Sequence, residues 1–255
     1  MRRATSSVLF LHLLLTTTAG GVAAAPSTTP PALPARVDSR FLLHFADDRE
    51  AILAGLQVPG CREDERSWEH WCAAALEIAR AFLAAIDLRV EILGSDRWQR
   101  PLVAVRQLAG PDLQSLLLER GLALVDPLSG PEGRIAAWLE VERRARQQGL
   151  GIWRAEGGLM EPAEAVAPAP LRFRLVCGRV EGAHALHSWT YLNFGPRRGQ
   201  DFTLRLSREI ARLLHRDGLD PARLAGRAVC ARGWISEAGG GMMDIVNALQ
   251  LEVQP

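Results

Sequence analysis

DLQSLLLERGLALV, residues 112–125, is the stretch from which the rest of the chain can be read. Asp112 stands where a helix N-cap is needed, and Gly121 stops the helix before a short apolar run. Working outward on the N-terminal side, LRVEIL (88–93) and PLVAVRQL (101–108) read as short strands around the turn GSDRWQR (94–100). Farther upstream, SWEHWCAAALEIARAFLAA (67–85) carries Trp68, Trp71, Ala75, Ile78 and Phe82 at helical spacing. Before it, FLLHF (41–45) and AILAGL (51–56), separated by ADDRE, read as a hairpin. On the C-terminal side a helix runs from about Gly133 to Gln148 and ends at Gly149. It sets Trp138, Val141 and Ala145 on one face, with Arg143, Arg144 and Arg146 mostly solvated.

The chain begins with Arg2 and Arg3, an apolar run from Val8 to Leu15 and small residues at Ala23 to Ala25, the pattern of a secretory signal. No stretch reaches the roughly 18 apolar residues of a membrane span. The expectation is an exported protein, periplasmic or secreted. Residues 1–25 would be the signal and 26–36 a Pro-rich leader. A first domain then covers 37–154, a Pro- and Gly-punctuated linker 155–170 and a second domain 171–255. The chain has 30 basic residues, all of them Arg, and a net charge of +1, so no global charge points to nucleic acid. The surplus is local: residues 171–255 hold twelve Arg against eight acids.

Four Cys, at 61, 72, 177 and 230, favour two disulfides in an exported chain. Their order favours Cys61 with Cys72 and Cys177 with Cys230, among three possible connectivities. A metal site of Cys61, His70 and Cys72 matches no zinc spacing, so no metal is expected there.

In the second region RFRLVCGRV, WTYLNFG and DFTLRL read as three strands. SREIARLLHR follows as a helix capped by Ser207, and RAVCARGWI (227–235) and DIVNALQLEV (244–253) are two further strands. Three strands, a helix and two strands is the order of an OB barrel. HALH (184–187) is weak as a metal motif, and GGGMMD (239–244) reads as a hairpin turn. Aromatic and Arg side chains on such a barrel can bind a single nucleic-acid strand, and Arg179, Trp189, Tyr191, Phe194, Arg197, Arg198 and Arg232 are the candidates.

The order hairpin, helix, two strands, helix, helix, with DRWQRPLVAV, DLQSLLLERGLALV and ERRARQQGLGIW, resembles the staphylococcal-nuclease-like (thermonuclease) family. The resemblance implies a five-stranded OB barrel packed by helices and a calcium-dependent phosphodiesterase site. Family carboxylates sit in D-G-D-T and R-L-x-G-I-D-x-P-E, with a further Arg in D-[RK]-Y-G-R. The stretch ILAGLQVPG (52–60) keeps the frame of the second motif. It puts Ile52 at the Arg, Gln57 at the metal Asp and Gly60 at the Glu, while Phe41 falls near the first carboxylate. Arg100 in DRWQR is retained. The family's first strand would have to come from PSTTPPALPAR, whose four Pro imply a missing or borrowed strand. LAGRxVxxRGWI and TYLNFG also resemble the domain found behind thermonuclease-like domains in exported bacterial proteins.

The expected fold class is therefore α+β, mainly β with helices: an OB-type barrel with packed helices, then a second, smaller OB-like barrel. Hard cations need oxygen ligands and phosphodiester hydrolysis needs a base, so losing these carboxylates implies a degenerate relative that leans away from enzyme activity. It would take no cofactor and bind single-stranded nucleic acid. A rival reading recruits Asp47, Asp48, Glu63, Asp64 and Glu65 to rebuild a calcium site. Another makes the protein a structural partner in the envelope.

Overall fold

A computed structural model describes residues 33–62, 68–154, 159–166, 171–197 and 199–254. The expected signal and most of the leader lie outside these residues, as do Glu63, Asp64, Glu65 and Arg198.

The first region is built from β1 (Pro34–Val37), β2 (Leu42–Phe45), β3 (Glu50–Leu53), β4 (Leu56–Gln57), α1 (Glu69–Leu83), β5 (Leu88–Ser95), β6 (Pro101–Gln107), α2 (Leu113–Glu119), β7 (Leu124–Val125) and α3 (Glu132–Gln147). Five strands pair in the order β1-β2-β3-β6-β5, with β3 and β6 parallel, while β4 and β7 form a separate two-stranded ladder. The expected hairpin is β2 and β3.

The expectation of a missing first strand is corrected. β1 is present at the sheet edge with Pro34 as its first residue, where a missing N–H costs no ladder bond, and α1 packs over it.

Asp112 caps α2 by accepting from the Ser115 N–H at 2.6 Å. Gly121 then brings two chain segments together: a Cβ there would lie 2.2 Å from the Leu150 carbonyl oxygen, and one on Gly151 would lie 2.0 Å from that of Gly121. That backbone crossing, closed by the Ile152 N–H to the Gly121 carbonyl at 2.8 Å, explains why the GLGIW ending needs its glycine.

Both long helices turn differently from their apolar spacing. α1 buries Cys72, Ala75, Leu76, Ala79 and Phe82. Trp68 and Trp71 instead pack toward the second region, against a cluster of Leu124, Ile152, Leu159, Phe173, Leu175 and Cys230. α3 buries Glu142 beside Trp138 and Ala145, and Arg146 is not a wet side chain but an ion-pair partner of Glu252.

The second β domain contains β8 (Met160–Pro162), β9 (Arg172–Arg179), β10 (Gly182–Leu186), β11 (Trp189–Asn193), β12 (Thr203–Ser207), α4 (Arg208–Arg216), β13 (Ala228–Ala238), β14 (Gly240–Ile245) and β15 (Leu251–Val253). The strands run β10-β11-β12-β14-β13-β9-β8, with β15 also on β13. β9 and β10 are separated by Val180 and Glu181 alone, so this bent strand pairs with β13 through one half and β11 through the other. The sheet thereby closes on itself.

HALH lies in and just after β10, and two expectations change. GGGMMD is mostly β14, with the turn confined to Gly239. The stretch read as linker supplies β8 and buries Leu159, Ala163 and Val166. Period-two burial along short strands, as in β2 and β12, is what the sequence pattern could find, and tight joins between strands are what it missed.

The disulfides are Cys61–Cys72 and Cys177–Cys230. The second joins facing residues of β9 and β13, and the first ties the segment after β4 to α1. Both Cys61 and Cys72 are thus committed to sulfur, which removes them as thiolate ligands beside His70. Among the described residues no helix is long and apolar enough to cross a membrane.

Candidate functional site

Four of the five residues that the resemblance aligns with family positions converge on one cleft of about 890 Å³, between β2–β4, the β5–β6 turn and the loop after β7. Phe41, Ile52, Gln57 and Arg100 all line it. The second domain closes one side with Leu171 and Trp234.

The β5–β6 turn is organised by Asp96, whose carboxylate accepts from the backbone N–H groups of Trp98 and Arg100, each at 2.9 Å. It also pairs with the Arg100 guanidinium at 2.9 and 2.8 Å. Burial works against the Asp96 charge, but the Arg100 and Trp98 donors outweigh it and hold the carboxyl below its ordinary value. Trp98 stands 62 % exposed, with the Arg97 and Arg100 guanidinium carbons 3.8 and 5.1 Å from its ring centre. Across the cleft Arg62 lies over Trp234 at 5.2 Å, and Phe173 meets the same ring edge-on. Arg40 completes the basic lining, shared with Asp38 at 3.3 Å.

At the positions that the resemblance aligns with the family's carboxylates, the structure places groups of another kind. Phe41 is a core residue held at φ +63°. Gly60 has φ +78°, and a Cβ there would lie 2.0 Å from the Trp68 carbonyl oxygen. Gln57 donates its amide to Asp126 at 2.8 Å, and the Leu128 N–H donates to the other Asp126 oxygen at 3.0 Å. Asp126 is 3 % exposed, and desolvation pushes its carboxyl above the ordinary value despite the bonds from Gln57, Leu128 and Ser129. It was not foreseen from sequence; its signal is a lone acid directly after the apolar LALV run.

Calcium takes six to eight oxygen ligands. Among the described residues no group of three His, Cys, Asp or Glu side chains is placed for a metal. The cleft's two aspartates are engaged elsewhere, Asp96 by Arg100 and Asp126 by Gln57. Asp47 pairs with Arg49 at the exposed hairpin tip, and neither it nor Asp48 lines the cleft. The described acids at and near the cleft do not fit a calcium site, and Glu63, Asp64 and Glu65 lie outside the described residues.

Replacing Asp126 with asparagine should stabilise the protein near neutral pH. A carboxyl whose folded pKa is raised binds more proton folded than unfolded, so stability falls as pH climbs from the ordinary carboxylate range through the raised value. Asparagine has no such loss, and Gln57 can turn its amide to meet the new NH₂. Urea midpoints measured from pH 4 to 8 check this: the variant's curve should be flatter and higher at the alkaline end.

The second-domain candidates do not assemble as expected. Arg232 is corrected outright. It is fully buried and its Nη1 donates to both Glu142 carboxylate oxygens at 2.8 and 2.7 Å, so it cannot meet a phosphate. Phe194 is buried against Phe202. Arg179 donates to the Gly226 carbonyl, and Arg197 pairs with Asp201. Trp189 and Tyr191 share β11, and Arg205, missed earlier, lies 4.7 Å over Trp189 while its fork binds Asp244. Arg97, Trp98 and Arg100 were in view in DRWQR, whereas Arg40, Arg62 and Trp234 needed the tertiary fold.

Residues 51–155 match the family described as Staphylococcal nuclease homologue. A relative from Pyricularia oryzae (strain 70-15), named Probable endonuclease LCL3, is 29% identical over 118 residues, which is 44% of this chain. The matched stretch spans 46% of that relative, about half its length. Residues 51–155, which contribute most of the five-stranded sheet and its helices, thus match a staphylococcal nuclease homologue domain.

Proposed function

We propose that this protein is an exported, catalytically degenerate nuclease relative that uses the inherited cleft to bind single-stranded nucleic acid. One observation carries the reading. Arg40, Arg62, Arg97 and Arg100 reach a cleft flanked by Trp98 and Trp234, while the described acids lining it are Asp96, paired with Arg100, and Asp126, biased toward its neutral form. Guanidinium forks meet phosphate, and the exposed Trp98 indole offers a stacking surface to an unpaired base. Hydrolysis needs more: a Lewis acid or equivalent charge on the phosphate, and a base for water. Phe41, Gln57 and Gly60 supply neither. Export is supported by the opening sequence and by two disulfides.

A fluorescein-labelled oligothymidylate titrated at several salt concentrations tests the reading. The wild type should bind with an affinity that weakens with salt. Substituting Ala at Arg40, Arg97 and Arg100 should lower the slope of log K against log salt by about 2, at roughly 0.7 per phosphate contact. With millimolar calcium the oligonucleotide should stay intact. Cleavage that Arg100→Ala abolishes would reinstate the hydrolytic alternative, and salt-insensitive or undetectable binding would favour a structural role.

A further inference from the structure

A second groove, of about 730 Å³, lies between α4 and the β10–β11 hairpin, away from the nuclease-homologue cleft. Arg208, Arg212 and Arg216 line it from α4. Their spacing of four residues sets them on one helix face about 6 Å apart along the axis.

These three differ from the rest of their domain. Arg172, Arg174, Arg197, Arg205, Arg223 and Arg232 each pair with an acid. Arg179 and Arg227 donate to backbone carbonyls. Among the described arginines from 171 to 254, those of the α4 row are left without an ion pair or side-chain hydrogen bond, and all three are exposed. Like charges four apart on a helix repel, so the row works against helix stability. Two acids share the groove, Glu209 and Asp220; Asp220 is engaged by the Ala222 N–H and by Arg223 at 3.4 Å.

The floor is apolar. Leu186 is 58 % and Trp189 37 % exposed, with Ala211, Pro221 and Ala222 opposite. We propose that this groove is a second binding site for single-stranded nucleic acid, with the α4 arginines on successive phosphates and an unpaired base against Trp189 and Leu186. A duplex would meet the arginines equally well but keeps its bases turned inward, so the exposed indole gains nothing from it. Phosphates recur along every strand whatever its sequence, whereas a peptide would need three acids in matching register.

The experiment uses the full mature chain and labelled oligothymidylate, with three sets of alanine substitutions. The groove set is Arg208, Arg212 and Arg216, the cleft set is Arg40, Arg97 and Arg100, and the third combines both. Circular dichroism and thermal melting confirm folding, which alanine on the exposed helix face should preserve. The groove set should lower the salt slope by about 2, independently of the cleft set. Trp189→Ala should weaken binding roughly five- to 150-fold without changing that slope, since base stacking carries no counterion release. A duplex of equal length should show no Trp189 effect. Unchanged oligonucleotide binding in the groove set overturns the proposal, as does polyglutamate competing as well as oligothymidylate, which would make the groove a peptide site. If the cleft set is silent while the groove set acts, this site stands and the cleft reading falls. The reverse pattern leaves the cleft reading in place and removes the groove.

Discussion

Arg232→Met should lower folding stability by about 3–5 kcal/mol, the range for breaking a buried pair by removing one partner. Arg232 of β13 and Glu142 of α3 are both fully buried, 90 residues apart in sequence, and face each other across the junction of the two regions. Glu252 of β15 accepts from Arg232 and from Arg146, the latter at 2.6 Å, which extends the pair into a chain of four charges. Burial opposes the charges of Arg232 and Glu252. For Arg232 the carboxylates of Glu142 and Glu252 outweigh it and hold the guanidinium firmly protonated. For Glu252 burial likewise pushes upward, but Arg232 and then Arg146 bring its pKa below the ordinary value.

Methionine in place of Arg232 would leave the Glu142 carboxylate in a dry site with a single donor, the Val125 N–H at 2.6 Å. Adding Glu142→Gln should then recover at least half of the loss, because the neutral amide still accepts from Val125. Urea denaturation of the two variants measures both effects. A loss under 1 kcal/mol for the single variant would mean that the pair is solvated and the junction loose.

Reinstalling the family's carboxylates by Gln57→Asp with Gly60→Glu should produce a destabilised protein and no nuclease. Any side chain at Gly60 meets the Trp68 backbone at 2.0 Å, and φ +78° is strained for glutamate in its own right. The backbone there cannot yield freely, because Cys61 is bonded to Cys72 at the start of α1. Strain of this kind costs about 1–3 kcal/mol before the clash is counted. At position 57 an aspartate would face Asp126, and two close carboxylates cannot both ionise readily, so one proton stays where a cation ligand is needed. Melting temperature and a calcium-dependent cleavage assay on the double variant test this. Cleavage well above that of the wild type would show that the scaffold has kept a usable site.

Much of the architecture was legible because it rests on short-range signals. The Asp112 cap, the stops at Gly121 and Gly149, and the apolar alternation of the strands are read within a few residues of themselves. The frame of ILAGLQVPG likewise placed Ile52 and Gln57 at the cleft. Misreadings cluster where distant packing decides. The four Pro of the leader argue for a missing or borrowed strand, yet Pro34 suits the first position of an edge strand. Trp68 and Trp71 fitted a helix face pattern, but a second sheet lay close enough to claim them.

Spacing and residue type alone determined the helices and the hairpin, and the family resemblance brought Ile52 and Gln57 to one cleft. Only the folded chain decided what each charge would meet. Arg232 became an internal ion pair, Arg100 was taken up by Asp96, Asp126 was driven toward neutrality, and the α4 arginines stayed free. The reason is that a side chain's conformation answers to its immediate neighbours in sequence, whereas the energy of its charge depends on solvent and on partners brought in from far along the chain.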